Sequence, residues 1–245
     1  MPDALELTAA DFPAQADILA DWATQGFAPG VRAWSLDGAL AVASPALSGR
    51  DRLAVTGPVE PLTALVRHAL AEVGPAYRPF GDRAVIEKLS GTVPGLQFIA
   101  AFHWMTITGD ALPTTPGAHW LGPADLAEAA ALLDLAHPTS YAHPTRPGAT
   151  RWAGVRDEAG RLTAVACEAW SAPGAGFIAG VAAHPEHGRG RGHAESACRL
   201  VIDALLRRSG RAGLMVESKN TAAIRLYTRL GMAPREVAAA AQPEN

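Results

Sequence analysis

The chain has 245 residues, 49% of them apolar and 18% charged, with a formal net charge of −3. That is ample material for one large or two small globular domains, each able to bury a core. The mild acidity argues neither for nucleic acid nor for a membrane, and no apolar run is long enough to span a bilayer.

The two cysteines, Cys167 and Cys198, sit in no metal-ligand spacing and read as core residues of a protein from a reducing compartment. The opening Met1-Pro2-Asp3-Ala4-Leu5-Glu6 lacks the basic start and apolar stretch of a secretory signal. A cytoplasmic protein is the expectation.

Residues 7–26 are expected to form a helix, with Thr8 as its cap and Phe12, Ile18, Leu19 and Trp22 on its apolar face. Val31–Leu36 and Ala39–Ser44 flank Asp37-Gly38, the signal of a tight hairpin. Arg52–Thr56 reads as a further strand. Leu62, Leu65, Val66, Ala69, Leu70 and Val73 then recur with helical spacing. Arg83–Leu89 fits strand or helix, and Leu96–Thr108 is a strand rich in aromatic and β-branched residues. No residue set in this half suggests catalysis; His68 and His103 read as packed or solvated. The proline and glycine punctuation of Ala111–Gly117 divides the chain into 1–115 and 116–245.

Beyond that boundary, Asp125–Ala136 predicts a helix, His137–Thr150 a loop, and Trp152–Arg156 and Leu162–Trp170 two strands. Phe177–Ala182 is a short apolar strand. A glycine-arginine loop follows, then a helix whose buried face repeats at Ala194, Ala197, Cys198, Val201, Ala204 and Leu205. Ala212–Glu217 is a strand, Asn220–Leu230 a helix stopped by Gly231, and Met232–Ala240 a last strand. Strands alternate with helices but also with hairpins, so the expected fold class is α/β with a mixed (α+β) sheet.

The loop His187-Gly188-Arg189-Gly190-Arg191-Gly192-His193-Ala194 joins a strand to a helix start, where small residues leave backbone N–H groups and the helix dipole to an anion. Arginines 189, 191, 199, 207, 208 and 211 face only Glu195 and Asp203, a local basic patch suited to a small polyanion. A dinucleotide fingerprint fails, because the sixth position is His193 counted from Gly188 and Glu195 counted from Gly190. A Walker loop lacks its lysine. A disordered arginine-glycine tail does not run into a strongly periodic helix.

A fourth reading fits. Arg189-Gly190-Arg191-Gly192-His193-Ala194 follows the pattern Arg/Gln-x-x-Gly-x-Gly/Ala. One helix and one strand later, Asn220 to Gly231 follows Asn-x-x-Ala-x-x-Leu-Tyr-x-x-x-Gly. Over about residues 118–240 the chain resembles the GNAT family of N-acetyltransferases. The resemblance implies a GNAT fold for 116–245, acetyl-CoA as co-substrate, no metal, and acetyl transfer to the primary amine of a small-molecule or amino-acid-like acceptor.

It also implies roles. The backbones of Val181 and Ala183 pair with the pantetheine arm, and strand N–H groups near Ala182 stabilise an oxyanion. Gly180 suits a strand bulge beside the cofactor. Arg189, Gly190, Arg191, Gly192, His193 and Ala194 hold the pyrophosphate, and Asn220 caps its helix and touches the cofactor. Tyr227 protonates the departing sulfur. The base is left between Glu168 and Glu217. One departure stands out: Glu186-His187-Gly188 put three residues between Pro185 and Arg189, where the family commonly has two. The N-terminal half repeats a similar order of elements without either motif, and is expected to be a degenerate GNAT-like copy that shapes the acceptor pocket. The alternative function is a non-catalytic acyl-CoA-binding sensor or partner subunit. No nucleic-acid or membrane partner is expected, and nothing in the sequence indicates an oligomer.

Overall fold

Asp37 and Gly38 both adopt left-handed backbone angles, φ 43° and 80°, which closes a two-residue hairpin with Leu36 paired to Ala39. In the computed structural model, which describes residues 4–13, 16–113 and 117–243, that hairpin lies within one continuous twelve-stranded sheet. The first half of the chain supplies β1 (Leu5–Leu7), α1 (Ile18–Thr24), β2 (Arg32–Leu36), β3 (Ala39–Leu47), β4 (Arg50–Thr56), α2 (Val59–Val73), β5 (Arg78–Asp82), α3 (Arg83–Thr92) and β6 (Gln97–Thr108). The second supplies β7 (Ala118–Trp120), α4 (Leu126–Ala136), β8 (Ala149–Arg156), β9 (Leu162–Ala169), β10 (Gly176–Ala183), α5 (His193–Ser209), β11 (Arg211–Glu217), α6 (Thr221–Arg229) and β12 (Ala233–Ala241). The ambiguous segment from Arg83 is thus helical, with Ile86 and Leu89 buried three residues apart.

The strand order is β1-β2-β3-β4-β5-β12-β6-β11-β10-β9-β8-β7. Each half runs through the same succession of elements, and the order reads symmetrically about the β12–β6 pair. Within each half one pair of neighbours is parallel, β4 with β5 and β10 with β11. The last strand of each half crosses over. β12 inserts between β5 and β6, so one sheet runs across the division expected near residue 116. Thr114, Thr115 and Pro116 lie outside the described residues.

Alternation along the strands sorts the helices onto two faces. On β6, Phe102 and Trp104 pack with α1, whereas Ala101 joins the α2–α3 core and Met105 the α5–α6 core. The cores under α1 and α4 share Trp170 and Ala179, so these two helices cover the front face and the other four the back. No helix is long and apolar enough to cross a membrane among the described residues.

The helix expected over 7–26 is largely absent. Leu5–Leu7 forms β1, and Thr8 closes a turn instead of capping, its N–H and hydroxyl donating to Asp11 Oδ2 at 3.2 and 2.6 Å. The true cap is Asp17, whose side chain accepts from the Leu19 N–H at 2.8 Å, so only seven residues are helical. Residues 14–15 of that expected helix lie outside the described residues.

Candidate functional site

β10 and β11 pair only at Gly176↔Ala212 and Phe177↔Gly213. Beyond that point β11 stays with β6 as far as Glu217↔Phe102, while β10 stays with β9. The two strands therefore part and leave a cleft between their edges. A bulge between Ala179 and Ala182 sharpens the divergence. Gly180 sits in it at φ +59°, and a Cβ there would lie 2.6 Å from the Trp152 indole, so the position demands glycine.

At the end of β10 the chain turns back on itself. The Gly188 and Arg189 N–H groups both donate to His184 O, at 2.9 and 3.1 Å, and the His184 N–H donates to Thr163 O at 2.8 Å. Gly188 is pressed against β9, and a Cβ on it would meet Thr163 O at 2.1 Å. Gly190 and Gly192 follow at φ +73° and +77°, and Gly192 starts α5. Among the described residues no acceptor meets the N–H groups of Gly190, Gly192, His193, Ala194 or Glu195. Five free donors at the positive end of a seventeen-residue helix form an anion cradle. Arg189, Gly190, Gly192 and Ala194 line the cleft; the side chains of Arg191 and His193 do not. His193 instead places Nδ1 2.7 Å from Thr163 Oγ1, which leaves it a backbone contribution only.

Asn220 caps α6, its Oδ1 accepting from the Ala223 N–H at 3.2 Å, and faces the cleft. Seven residues on, Tyr227 is buried at the cleft wall, and no hydrogen bond to its hydroxyl is present among the described residues. Burial, with the Cys198 thiol adding to it, pushes the Tyr227 hydroxyl well above its ordinary value. Burial likewise pushes the Cys198 thiol up to about 12 and the Cys167 thiol higher still, so neither cysteine is a nucleophile.

The two candidate bases separate. Glu168 is buried in β9 and ion-paired with Arg208 of α5, and it does not line the cleft. Glu217 does line it. Its side chain is 71% exposed, 3.1 Å from Lys219 Nζ, on the front face with Met215.

The cleft encloses about 1520 Å³, beyond the roughly 300–1,000 Å³ of a single-ligand pocket and enough for two reactants. Val181, Ala182 and Ala183 form its floor along β10. Its far wall comes from the first half of the chain: Arg50, Arg52, Arg78 and the exposed Ile99. Tyr141, in the loop after α4, bridges the walls. It lies against Gly49 and its hydroxyl accepts from Arg50 Nε at 3.0 Å. Sequence reasoning missed this arginine wall. Arg50 and Arg52 share a strand face by their spacing, but Arg78 joins them only through the register Arg52↔Arg78. Among the described residues no group of three metal-ligating side chains lies together.

Residues 126–232 match the model of the Acetyltransferase (GNAT) family. That stretch in the second half of the chain is its GNAT acetyltransferase domain. No curated protein matches the chain. Solved structures resemble it over nearly its whole length. A GCN5-related N-acetyltransferase from Kribbella flavida aligns over 93% of this chain and 96% of its own at 19% identity, with a TM-score of 0.62. A GNAT-family protein from Novosphingobium aromaticivorans aligns over 86% and 91% at 24% identity (TM-score 0.53), and a GCN5-related N-acetyltransferase from Sphaerobacter thermophilus over 98% and 96% at 20% (TM-score 0.52). At these identities the likeness is one of fold. The GNAT match spans α4 to the end of α6, and so includes the bulge, the glycine loop and Tyr227. The arginine wall lies outside it.

Proposed function

We propose that this GNAT protein transfers an acetyl group from acetyl-CoA to the primary amine of a small acceptor. The observation that carries the reading is the set of five free N–H groups at the start of α5, beside a strand edge that has no partner. A pyrophosphate fits the first, and the amides of a pantetheine arm fit the second as an added strand would. Acetyl-CoA supplies an acyl group already activated as a thioester.

The chain's own residues then have distinct tasks. An alkylammonium is mostly protonated at neutral pH, so a base is required, and Glu217 is the carboxylate on the acceptor face of the cleft. Tyr227, kept protonated by burial, gives its proton to the sulfur as the C–S bond breaks and the C–N bond forms. Gly180 and Val181–Ala183 leave the β10 edge clear of bulky side chains.

The first half is read here as a degenerate second copy, residues 1–115, that has lost the donor site. Three features support this. It has the same order of elements. β4 and β5 stay paired to Ala54↔Phe80, with Gly81 so close that a Cβ would meet Val55 O at 2.4 Å, where the corresponding strands of the GNAT domain have parted. Pro58 and Pro61 stand at the start of α2, removing N–H groups that a phosphate would need.

Calorimetry with acetyl-CoA, followed by a free-thiol release assay over a panel of amines, tests the proposal. Binding with turnover is the expected result. Binding without turnover on any amine would instead favour an acyl-CoA sensor, and no binding would remove both.

A further inference from the structure

The arginine wall is an electrostatic anomaly. Arg52 is only 7% exposed, yet among the described residues neither it nor Arg50 nor Arg78 has a carboxylate partner. Arg52 Nε donates to Leu47 O at 2.8 Å and its guanidinium lies over the Phe80 ring at 5.3 Å, but its two terminal nitrogens have no acceptor. Arg52 and Arg78 are also direct neighbours on adjacent strands, an arrangement in which like charges repel. Burial, together with Arg50 and Arg78, pushes Arg52 down to about 10. Buried like charges without a counter-ion cost stability, and all three line the cleft. An anion arriving with a ligand would relieve that cost.

Tyr141 and Ala142 tie the wall to the bulge. A Cβ on Gly180 would lie 3.3 Å from Ala142 Cβ, while the preceding residue, Tyr141, bonds Arg50 through its hydroxyl. Two consecutive residues thus touch the bulge and the wall, and both line one cleft.

We infer that the acceptor carries an oxyanion, a carboxylate or a phosphate, that docks among Arg50, Arg52 and Arg78 while its amine lies at the bulge. The inference rests on the acetyl-transfer reading for the amine but not for the anion. The acceptor class is then an amino carboxylate or an amino-alkyl phosphate.

The full-length protein is titrated with acetyl-CoA by calorimetry, then with inorganic phosphate and with glutarate at fixed ionic strength, with and without the cofactor. Turnover of 6-aminohexanoate is compared with that of 6-aminohexanamide. The wild type is expected to bind at least one of the two anions and to prefer the carboxylate amine by ~10-fold or more, because the neutral amide leaves the guanidiniums unpaired. Arg52→Gln and Arg78→Gln should lose anion binding and most of that preference while keeping acetyl-CoA affinity. Arg78 is half-buried, so its variant serves even where the buried Arg52 proves essential for folding. No anion binding by the wild type, or undiminished binding by Arg78→Gln, overturns the inference. Loss of acetyl-CoA affinity in Arg78→Gln would assign the arginines to the cofactor and overturn it as well. Failure of acetyl-CoA to bind removes the acetyl-transfer reading alone, since the share of anion binding that Arg78→Gln abolishes still reports on the wall.

Discussion

The indole of Trp22 stacks on the ring of Phe177, centroids 4.5 Å apart, at the last position where β10 and β11 pair. Trp22 belongs to α1 in the first half, and Phe177 stands where the cleft opens in the second. Trp104 of β6 packs on both rings, and Trp22 Nε1 donates to Trp170 O at 2.7 Å. The divergence of the strands is therefore anchored by a core that both halves build.

Trp22→Ala should cost about 3–5 kcal/mol, the range for emptying a buried aromatic site. Denaturant unfolding would measure it. The same variant should bind acetyl-CoA more weakly, because the Phe177 end of the cleft loses its support. A destabilisation below ~1 kcal/mol would mean that the site collapses around the cavity.

Gly188 and Gly190 should respond differently to alanine. At Gly188 the methyl would meet Thr163 O at 2.1 Å, so the loop must move off β9 and acetyl-CoA affinity should fall by ~10-fold or more. At Gly190 nothing lies within 4 Å, and only the left-handed backbone resists, a penalty of about 1–2 kcal/mol. Calorimetry on both variants compares them; equal losses would contradict the packing argument.

Tyr227→Phe should reduce turnover by ~10- to 1000-fold at saturating substrates with cofactor binding intact, and Glu217→Gln by ~100-fold or more. Because burial holds the Tyr227 hydroxyl well above its ordinary value, the wild type should show no alkaline loss of activity from this group below about pH 10. An alkaline limb near neutrality that disappears in Tyr227→Phe would refute that assignment.

Glu168→Gln is the contrasting variant. Removing the charge that faces Arg208 should lower stability by about 1–3 kcal/mol while leaving the chemical step unaffected in single-turnover experiments. A selective loss of turnover in a stably folded Glu168→Gln would return this residue to the mechanism.

Acid should loosen α1. Burial raises the Asp17 carboxyl, but the hydrogen bond and charge of Arg235 and the N–H groups of Leu19 and Ala20 outweigh it, leaving a net lowering. A lowered folded-state value means that Asp17 stabilises fully above its unfolded value near ~4 and loses that contribution as pH falls through the folded one. Asp17→Asn should therefore flatten the acid side of a stability–pH curve, below about pH 4, and leave the alkaline side unaltered.

Much of this was legible from residues alone. Local signals placed the Asp37-Gly38 hairpin, the long helix after the glycine loop, the Asn220 cap and the Gly231 stop, because each depends on backbone preferences of a few neighbouring residues. The helix anticipated from Thr8 was misread: its apolar spacing was intermittent, and Asp11 offered Thr8 a turn in place of a cap. Glu168 and Glu217 were indistinguishable in sequence, both being carboxylates near strand ends. Alternation and the position of Arg208 on α5 put Glu168 into an ion pair behind the sheet.

The sequence by itself determined the glycine-loop side of the cleft, because a glycine loop, its helix and the Asn…Tyr element lie close along the chain and depend on short-range backbone geometry. Only the tertiary structure decided the arginine side. β12 crosses to pair with β5, the register sets Arg52 beside Arg78, and Tyr141 reaches over from the second half to Arg50. Those contacts join residues as far apart in the chain as Phe80 and Ala239, 159 positions. No local preference encodes them; they exist because one sheet buries both halves around a shared core.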